Sequence, residues 1–474
     1  MQSLAKGCTI NKENMKESFM LRFPSIGEDI INELDNQNLT KCKEISHLLN
    51  NFLAKSKFVW LRKIQKYKEN HVEFKKDWKS VLTRAPFETV KELATAVDTF
   101  YKSESKRHDH QNSPAHIVAV SGNFSLWHHI TDRIGVSNPK RTDGTSAYHL
   151  AAQEGHIKIC RLIIHNVEDK SPKDVDGKTP LHSAAIKGHY NVCQLILENI
   201  KIKNPASNIG ITPLDAAAYH GHLEVYELIK ELAEIKNPIG INGKTPLHYA
   251  AIGGQLKMYK HIADKLVDKN PSFINVETPL YWAAMHGSFE IVEYITDNTP
   301  NKNPRCHNGN TPLHVAATNG NLKIFKHIAK HLKEINPTNN QGEMPLHCAA
   351  KKGHLDFVKY LIDNYGDKNP KTDLGNTPLH YAAGNGHLEL FKLIFEHATD
   401  KNPATISFWT PLHYAVHYGH YEICKLIISN VDEPNPKNDL GIDPLTLALV
   451  NGNIPIQKLL FESIAKNKER SFNQ

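Results

Sequence analysis

The sequence predicts an all-α solenoid with short β-hairpin turns, built of about eleven 33-residue units that follow a small helical domain. A glycine recurs at one constant interval without insertion or deletion, and Thr-Pro-Leu and Asn-Pro motifs recur at fixed distances from it. Such a period is typical of stacked units that each bury an apolar face against their neighbours. The recurrent glycines are Gly122, Gly155, Gly188, Gly221, Gly254, Gly287, Gly320, Gly353, Gly386, Gly419 and Gly452.

The first half of a unit predicts a tight turn followed by a helix, as residues 204–236 illustrate. Gly210 lies before Thr212, which can cap a helix, and before Pro213, whose fixed φ suits the first helical turn. Gly221 tolerates positive φ and can therefore end this helix. Small alanines between the two ends let neighbouring units approach closely.

The second half of the unit predicts another helix with one apolar face. Its apolar residues at helical spacing are Leu223, Val225, Tyr226, Leu228 and Ile229. Proline then recurs at ten equivalent positions from Pro139 to Pro436, where it stops the second helix and stiffens the loop.

These motifs resemble the ankyrin repeat, whose signature is T-P-L-H-x-A in a 33-residue unit. The closest matches lie at residues 179–185, 245–251, 311–317, 377–383 and 410–416. Asn-Pro replaces the family's usual loop, and the units that open at Pro114 and Pro444 are atypical, as terminal caps are expected to be. The resemblance implies a protein partner held in a concave groove of first helices and hairpin turns.

Carried onto this sequence, the groove positions are rich in aromatic side chains, which commonly anchor protein interfaces. The predicted partner-contacting residues are Tyr219, His220, Tyr249, Trp282, His286, Lys351, Lys352, Tyr381, Phe408, Trp409, Tyr414, His417 and Tyr418. Four of them directly follow the His position, and these either pack between first helices or contact a partner: Tyr249, Trp282, Tyr381 and Tyr414.

Phe408 occupies a turn position at which eight other units carry glycine. Because bulky residues disfavour positive φ, we expect this turn to differ from the others. Either the hairpin repacks inward or it presents an aromatic tip. The unit that contains Val276 shows a similar departure.

The histidines and cysteines are expected to be structural. Of the 29 histidines, eight occupy the His position of T-P-L-H and six follow the recurrent glycine, so we predict hydrogen bonds within and between units and no metal site. The seven cysteines show no C-x-x-C spacing and are expected to be reduced thiols. No phosphate-loop, zinc-protease or nucleophile-elbow motif is present, so we expect neither an enzyme nor a cofactor.

In residues 21–67, Phe23-Pro24 opens a predicted helix that contains Ile30 and Leu34, a second helix contains Leu39 and Cys42, and Trp60 lies in a third. This pattern resembles an F-box, a helical segment that binds the S-phase-kinase-associated adaptor of cullin-RING ubiquitin ligases. The resemblance assigns adaptor binding to Phe23, Pro24, Ile26, Ile30, Leu34, Leu39, Cys42 and Trp60. Leu49 departs from the family, which often has tryptophan there. Alternatively, the segment is only a helical cap for the repeats.

The predicted domain organisation has five parts. They are a flexible N-terminus at 1–20, the F-box-like segment at 21–67, a helical linker at 68–106, the ankyrin array at 107–465 and a polar tail at 466–474.

Charge and hydropathy limit the classes of partner and the cellular location that we expect. The formal net charge of the whole chain is +7. Residues 1–112 hold 20 of the 57 Lys+Arg and 15 of the 50 Asp+Glu. The repeats therefore carry 37 basic and 35 acidic residues and are nearly neutral. A nearly neutral array argues against nucleic-acid binding. With no apolar run of membrane length and no signal peptide, we expect an intracellular protein, cytoplasmic or nuclear.

The leading functional hypothesis is therefore a substrate-binding adaptor of a cullin-RING ubiquitin ligase. The alternative is an ankyrin scaffold or regulator unrelated to ubiquitin.

Overall fold

The computed structural model describes residues 114–128, 138–234, 240, 243–271, 277–364 and 366–472. Residues 1–113, which hold the predicted N-terminus, F-box-like segment and most of the linker and its boundary with the array, lie outside this range, as does Val276. The chain divides after Lys203 into two compact units.

Within its described residues, the first unit begins with one helix and a helical stretch at 124–128, and two helix pairs follow. The first helix is α1 (Pro114–Ser121), and the pairs are α2 (Ala147–Gln153) with α3 (Ile157–Asn166) and α4 (Pro180–Lys187) with α5 (Tyr190–Asn199). An isolated antiparallel bridge joins Lys140 to Ser146 in the turn before α2.

The second unit repeats the same helix pair eight times. Its helices are α6 (Pro213–His220), α7 (Leu223–Leu232), α8 (Pro246–Ile252), α9 (Leu256–Ala263), α10 (Pro279–His286), α11 (Phe289–Asn298), α12 (Pro312–Thr318), α13 (Leu322–Ala329), α14 (Pro345–Lys352), α15 (Leu355–Asn364), α16 (Pro378–Gly384), α17 (Leu388–His397), α18 (Pro411–His417), α19 (Tyr421–Ile428), α20 (Pro444–Val450) and α21 (Ile454–Phe472). The predicted all-α repeat fold is confirmed. Helix α21 reaches Phe472 and so includes most of the expected polar tail.

The first helices begin in a hydrogen-bonded turn that is most complete at α16. Thr377 donates its backbone N–H to Nδ1 of His380 at 3.0 Å, and its hydroxyl lies 3.0 Å from the same atom. Pro378 has no N–H to satisfy, and the N–H of Leu379 is accepted by Oδ1 of Asn369 at 3.2 Å. The first turn of the helix therefore leaves no unpaired donor of the kind that destabilises helix ends.

The asparagine of the Asn-Pro motif thus caps the helix that begins nine residues later, besides marking the end of the preceding one. The same side-chain bond, to a backbone N–H ten residues on, is made by Asn138, Asn204, Asn270, Asn303, Asn402 and Asn435. The sequence pattern predicts a role for the proline alone, as the residue that stops the second helix.

Both recurrent histidines join neighbouring repeats. Nε2 of His380 donates to the carbonyl of Trp409 at 3.1 Å, and His314 donates in the same way to Glu343 at 2.9 Å. The histidine after the recurrent glycine reaches back to the previous repeat, as His354 does to the carbonyl of Thr318 at 2.9 Å. The predicted bonds within and between units are confirmed at these positions.

The core lies between the two helix layers. The leucine of each Thr-Pro-Leu motif and the alanines that follow it are buried, as are the apolar residues of the second helices, such as Phe357 and Leu361 of α15. Cys160, Cys193 and Cys424 are buried at one shared repeat position as free thiols. Burial raises the pKa of each of these thiols to about 12, which makes them unreactive packing groups.

Among the described residues, no helix combines the length and the apolarity that crossing a membrane requires.

Candidate protein-binding surface

Between Asn308 and Asp439, the hairpin turns of consecutive repeats are joined to one another by backbone hydrogen bonds. The N–H of Ile406 donates to the carbonyl of Leu374 at 3.1 Å, and the N–H of Asp439 donates to Ser407 at 3.2 Å. The turns therefore form a continuous row whose side chains are held in a fixed order.

The turn at Phe408 keeps the geometry of its glycine-containing neighbours. Phe408 has φ 57°, close to the 78° of Gly375, and its N–H donates to Thr405 at 3.0 Å as that of Gly375 does to Thr372 at 2.8 Å. Our expectation that an aromatic residue would change this turn was wrong. The hydrogen bonds that close the turn hold Phe408 in a left-handed conformation, which is costly for a bulky side chain.

The ring of Phe408 is directed into solvent, with 59% of the residue exposed. Of the two arrangements expected from the sequence, the structure has the aromatic tip. Two other apolar residues in this row are equally exposed, Leu374 at 57% and Ile406 at 65%.

Beside these turns lies a cavity of about 370 Å³. It is lined by Leu374, Asn376, Thr405, Ile406, Ser407, Trp409, Tyr414, His417 and Tyr418. The Trp409 ring lies 5.4 Å from that of Tyr414, and the rings of His417 and Tyr418 meet edge to face at 4.8 Å. The predicted aromatic residues of the last repeats are thus brought together around one opening.

A second cavity, of about 570 Å³, shares Asn376, Tyr414 and Tyr418 with the first. Its other lining residues are Lys351, His380, Tyr381, Gly384, Asn385 and His420. We refer to the two cavities together, with their lining residues, as the C-terminal aromatic groove.

Two tyrosines of the groove are fixed by their hydroxyl groups. Tyr381 donates to Oε1 of Glu343 at 2.8 Å, and Tyr414 donates to Oδ1 of Asn376 at 3.2 Å. Burial, followed by the contact with Glu343, raises the pKa of Tyr381. Although burial alone would raise it, the pKa of Glu343 is lowered by hydrogen bonds from Asn339 and Tyr381. The rings are therefore oriented before any partner arrives.

The lysines predicted for this region are both exposed on α14. Nζ of Lys351 lies 5.6 Å from the centre of the Tyr381 ring, within the range of a cation–π contact. Lys352 adjoins it along the helix.

The other predicted residues lie in the earlier repeats of the second unit. Tyr219 and His220 are exposed and their rings meet at 4.9 Å. Half-buried Trp282 stacks on exposed His286 at 6.0 Å, and Nζ of Lys244 lies 4.6 Å from the Trp282 ring.

The residues after the His position divide between packing and surface. Tyr249 is only 6% exposed, so it packs between helices and is unavailable to a partner. Trp282, Tyr381 and Tyr414 are half-buried, and each presents part of its ring. The repeat position alone therefore does not specify how far the ring is covered.

Nine residues that line the groove are absent from the predicted partner-contacting set: Leu374, Asn376, His380, Gly384, Asn385, Thr405, Ile406, Ser407 and His420. A signal exists for Leu374, because most other units carry a polar residue before the turn glycine. The residues predicted to bind the ligase adaptor, from Phe23 to Trp60, lie outside the described part of the chain.

Comparison with known families supports this architecture. A family model described as "Ankyrin repeats (3 copies)" matches residues 115–208, 200–273, 259–339, 325–405 and 402–471. A search of curated proteins gave no significant match. Since the family matches extend over residues 115–471 and the helix pairs recur in the same register, the chain belongs to the ankyrin repeat family.

Proposed function

We propose that this chain is a non-catalytic binding protein whose C-terminal aromatic groove holds a protein partner. Ankyrin repeats are protein–protein interaction modules. The observation that carries the proposal is the convergence of Trp409, Tyr414, His417 and Tyr418 on one opening beside the exposed ring of Phe408.

The composition of the groove suits a protein ligand. Tyrosine and tryptophan bury a large area on binding while keeping a polar group for hydrogen bonding, and they dominate measured interface energies. The exposed Leu374, Ile406 and Phe408 add apolar area that is unfavourable in water unless a partner covers it. Because Tyr381 and Tyr414 are already fixed, binding costs less side-chain entropy.

The backbone at Phe408 supports the same proposal. A non-glycine residue in the left-handed region costs about 1–2 kcal/mol, and such strain tends to persist at functional positions. Glycine serves the same turn in neighbouring repeats, as at Gly375 and Gly441. A residue that strains the turn and exposes an aromatic ring is best explained by contact with a partner.

Partner capture by the full-length protein tests the groove. We expect Tyr418→Ala or Trp409→Ala to abolish the enrichment of at least one protein that the wild-type chain captures from cell extract. Tyr421→Ala is the matched control, because Tyr421 is also exposed but lies on α19, outside the groove. Helical circular dichroism should remain unchanged in all three variants.

Two results would contradict the proposal. One is an identical set of captured proteins for wild type and both groove variants. The other is a loss of captured proteins with Tyr421→Ala as large as with Tyr418→Ala.

We further propose that residues 21–67 attach the chain to the adaptor of a cullin-RING ubiquitin ligase, so that the groove holds the ligase substrate. The support is the F-box resemblance carried by Phe23, Pro24, Ile30, Leu34 and Trp60. A scaffold or regulator unrelated to ubiquitin is the alternative, and it would use the same groove.

Co-purification of the full chain with the purified adaptor separates the two. We expect a stable complex that is lost with Ile30→Asp combined with Leu34→Asp. Failure of the intact chain to bind, where a known F-box protein binds under the same conditions, favours the scaffold and leaves the groove proposal standing.

A further inference from the structure

A cluster of two histidines and one carboxylate lies in the second unit, on the second-helix side of two adjacent repeats. His327 is in α13, His331 follows one turn later, and Asp297 comes from α11 of the preceding repeat. One ligand atom from each residue lies within 4.8 Å of the other two. Neither histidine occupies a position of the repeat signature, so neither is explained by the repeat architecture.

His327 is held in place by α11. Its Nε2 atom lies 2.9 Å from the hydroxyl of Thr296, which also bonds the carbonyls of Val292 and Glu293 at 3.0 Å. The edge of the Phe289 ring packs against the imidazole at 5.3 Å. By contrast, Asp297 and His331 are exposed and their side chains can rotate.

Two repeats earlier, a lysine ammonium group occupies the place of the second imidazole and bonds a carboxylate, Glu227, whose repeat counterpart is Glu293. There, His261 and Lys265 occupy the repeat positions of His327 and His331. Nζ of Lys265 lies 2.9 Å from Nε2 of His261 and 3.0 Å from Oε1 of Glu227. In the later repeat an imidazole replaces this ammonium group, so a lone-pair donor stands where the earlier repeat has a positive charge.

We propose that Asp297, His327 and His331 bind a divalent transition-metal ion of the Zn²⁺ class. Imidazole and carboxylate are ligands that Zn²⁺ accepts in tetrahedral sites, and three protein ligands leave a fourth position for water or for a group of a partner. Tetrahedral bonds of about 2.0–2.1 Å place ligand atoms ~3.3 Å apart. Metal binding therefore requires the exposed Asp297 and His331 side chains to rotate until the ligand atoms reach that spacing.

The test is Zn²⁺ titration of the full chain by calorimetry at pH 7.5, comparing wild type with His331→Lys. This substitution copies the natural arrangement at Lys265, so we expect it to fold normally. We expect the variant to bind one Zn²⁺ fewer per chain than wild type. Asp297→Asn should weaken the same site at least tenfold, as loss of one of three ligands requires.

His397→Lys is the matched control. His397 lies two repeats after His331, at the same repeat position, and Asp363 stands where the cluster has Asp297, but Leu393 replaces the His327 ligand. We expect this variant to bind Zn²⁺ like wild type. Equal Zn²⁺ binding by wild type and His331→Lys would overturn the proposal, as would an equal loss from His397→Lys, which would indicate adventitious binding to surface histidines.

Discussion

Phe408 differs from the residues at the equivalent positions of the other repeats in its exposed aromatic ring. Its ring is exposed and its backbone is in the left-handed region that glycine adopts at the equivalent turns. The sequence identified the position as unusual, but not the outcome. The steric preference of a bulky residue predicts a changed turn. The turn is unchanged because the hydrogen bonds between Phe408 and Thr405 and between Thr405 and Trp409 fix its backbone.

Phe408→Gly is expected to stabilise the fold and to weaken partner capture. Relief of the left-handed strain raises the free energy of unfolding by about 1–2 kcal/mol. The greater conformational entropy of glycine in the unfolded chain offsets about 0.5–1 kcal/mol of this gain. The net gain in the free energy of unfolding is therefore about 0.5–1 kcal/mol, measurable by urea denaturation. Phe408→Ala, which removes the ring but keeps most of the strain, should lose capture without this gain. A destabilised Phe408→Gly variant would show that the ring supports the fold instead.

Tyr249 marks the limit of residue-level prediction from the sequence. It shares its repeat position with Trp282, Tyr381 and Tyr414, yet it is buried while they are half-buried. The repeat period assigns all four to the same face. How far each ring is covered is a tertiary property that the period does not encode.

At the scale of the helix, the beginnings and ends of the elements were largely predictable. Thr-Pro-Leu-His places a cap, a proline suited to the first turn and a histidine at a fixed spacing, and the recurrent glycine ends the helix in a left-handed conformation, as at Gly353 with φ 79°. The bond from Asn369 to Leu379 was missed, because its partners are separated by ten residues and by the whole hairpin turn. Only the folded turn brings them together.

Asn270→Ala is expected to destabilise the protein by about 1–3 kcal/mol, because the substitution leaves a buried donor without its acceptor. Oδ1 of Asn270 accepts the N–H of Leu280 at 2.9 Å, and both residues are buried. Urea denaturation measures the change. Asn298→Ala is the control, since Asn298 makes its bond on the exposed side of α11 and should cost under about 0.5 kcal/mol. Equal losses from the two variants would contradict a capping role for Asn270.

Across each unit, buried histidines make the fold sensitive to acid. Burial lowers the pKa of His116, His248, His314 and His380 to about 4 from the ordinary value of 6.5. Between these two values the unfolded chain binds more protons than the folded chain. Stability is therefore fully present above about pH 6.5 and is lost as pH falls towards 4.

We expect the free energy of unfolding to fall by about 1.4 kcal/mol per pH unit for each such histidine within that window. Buried Asp215, which takes the histidine's place in one repeat, has a pKa raised by burial to about 6 and acts in the opposite direction between pH 6 and 3.8. As a single group it offsets only part of the effect. Urea denaturation at pH 5, 6, 7 and 8 tests this, and a flat profile from pH 5 to 7 would contradict it.

Both kinds of histidine bond span a constant distance along the chain. The bond from His314 to Glu343 covers 29 residues and the bond from His354 to Thr318 covers 36, and the same spans recur at His413 with Ile442 and at His420 with Gly384. Each bond therefore joins one repeat only to the next. A genetic duplication or deletion of one repeat length, among repeats that carry both histidines, would therefore preserve these bonds. The array can thus lengthen or shorten in single steps by ordinary recombination, and the surface it offers to partners can change while the joints between repeats stay the same.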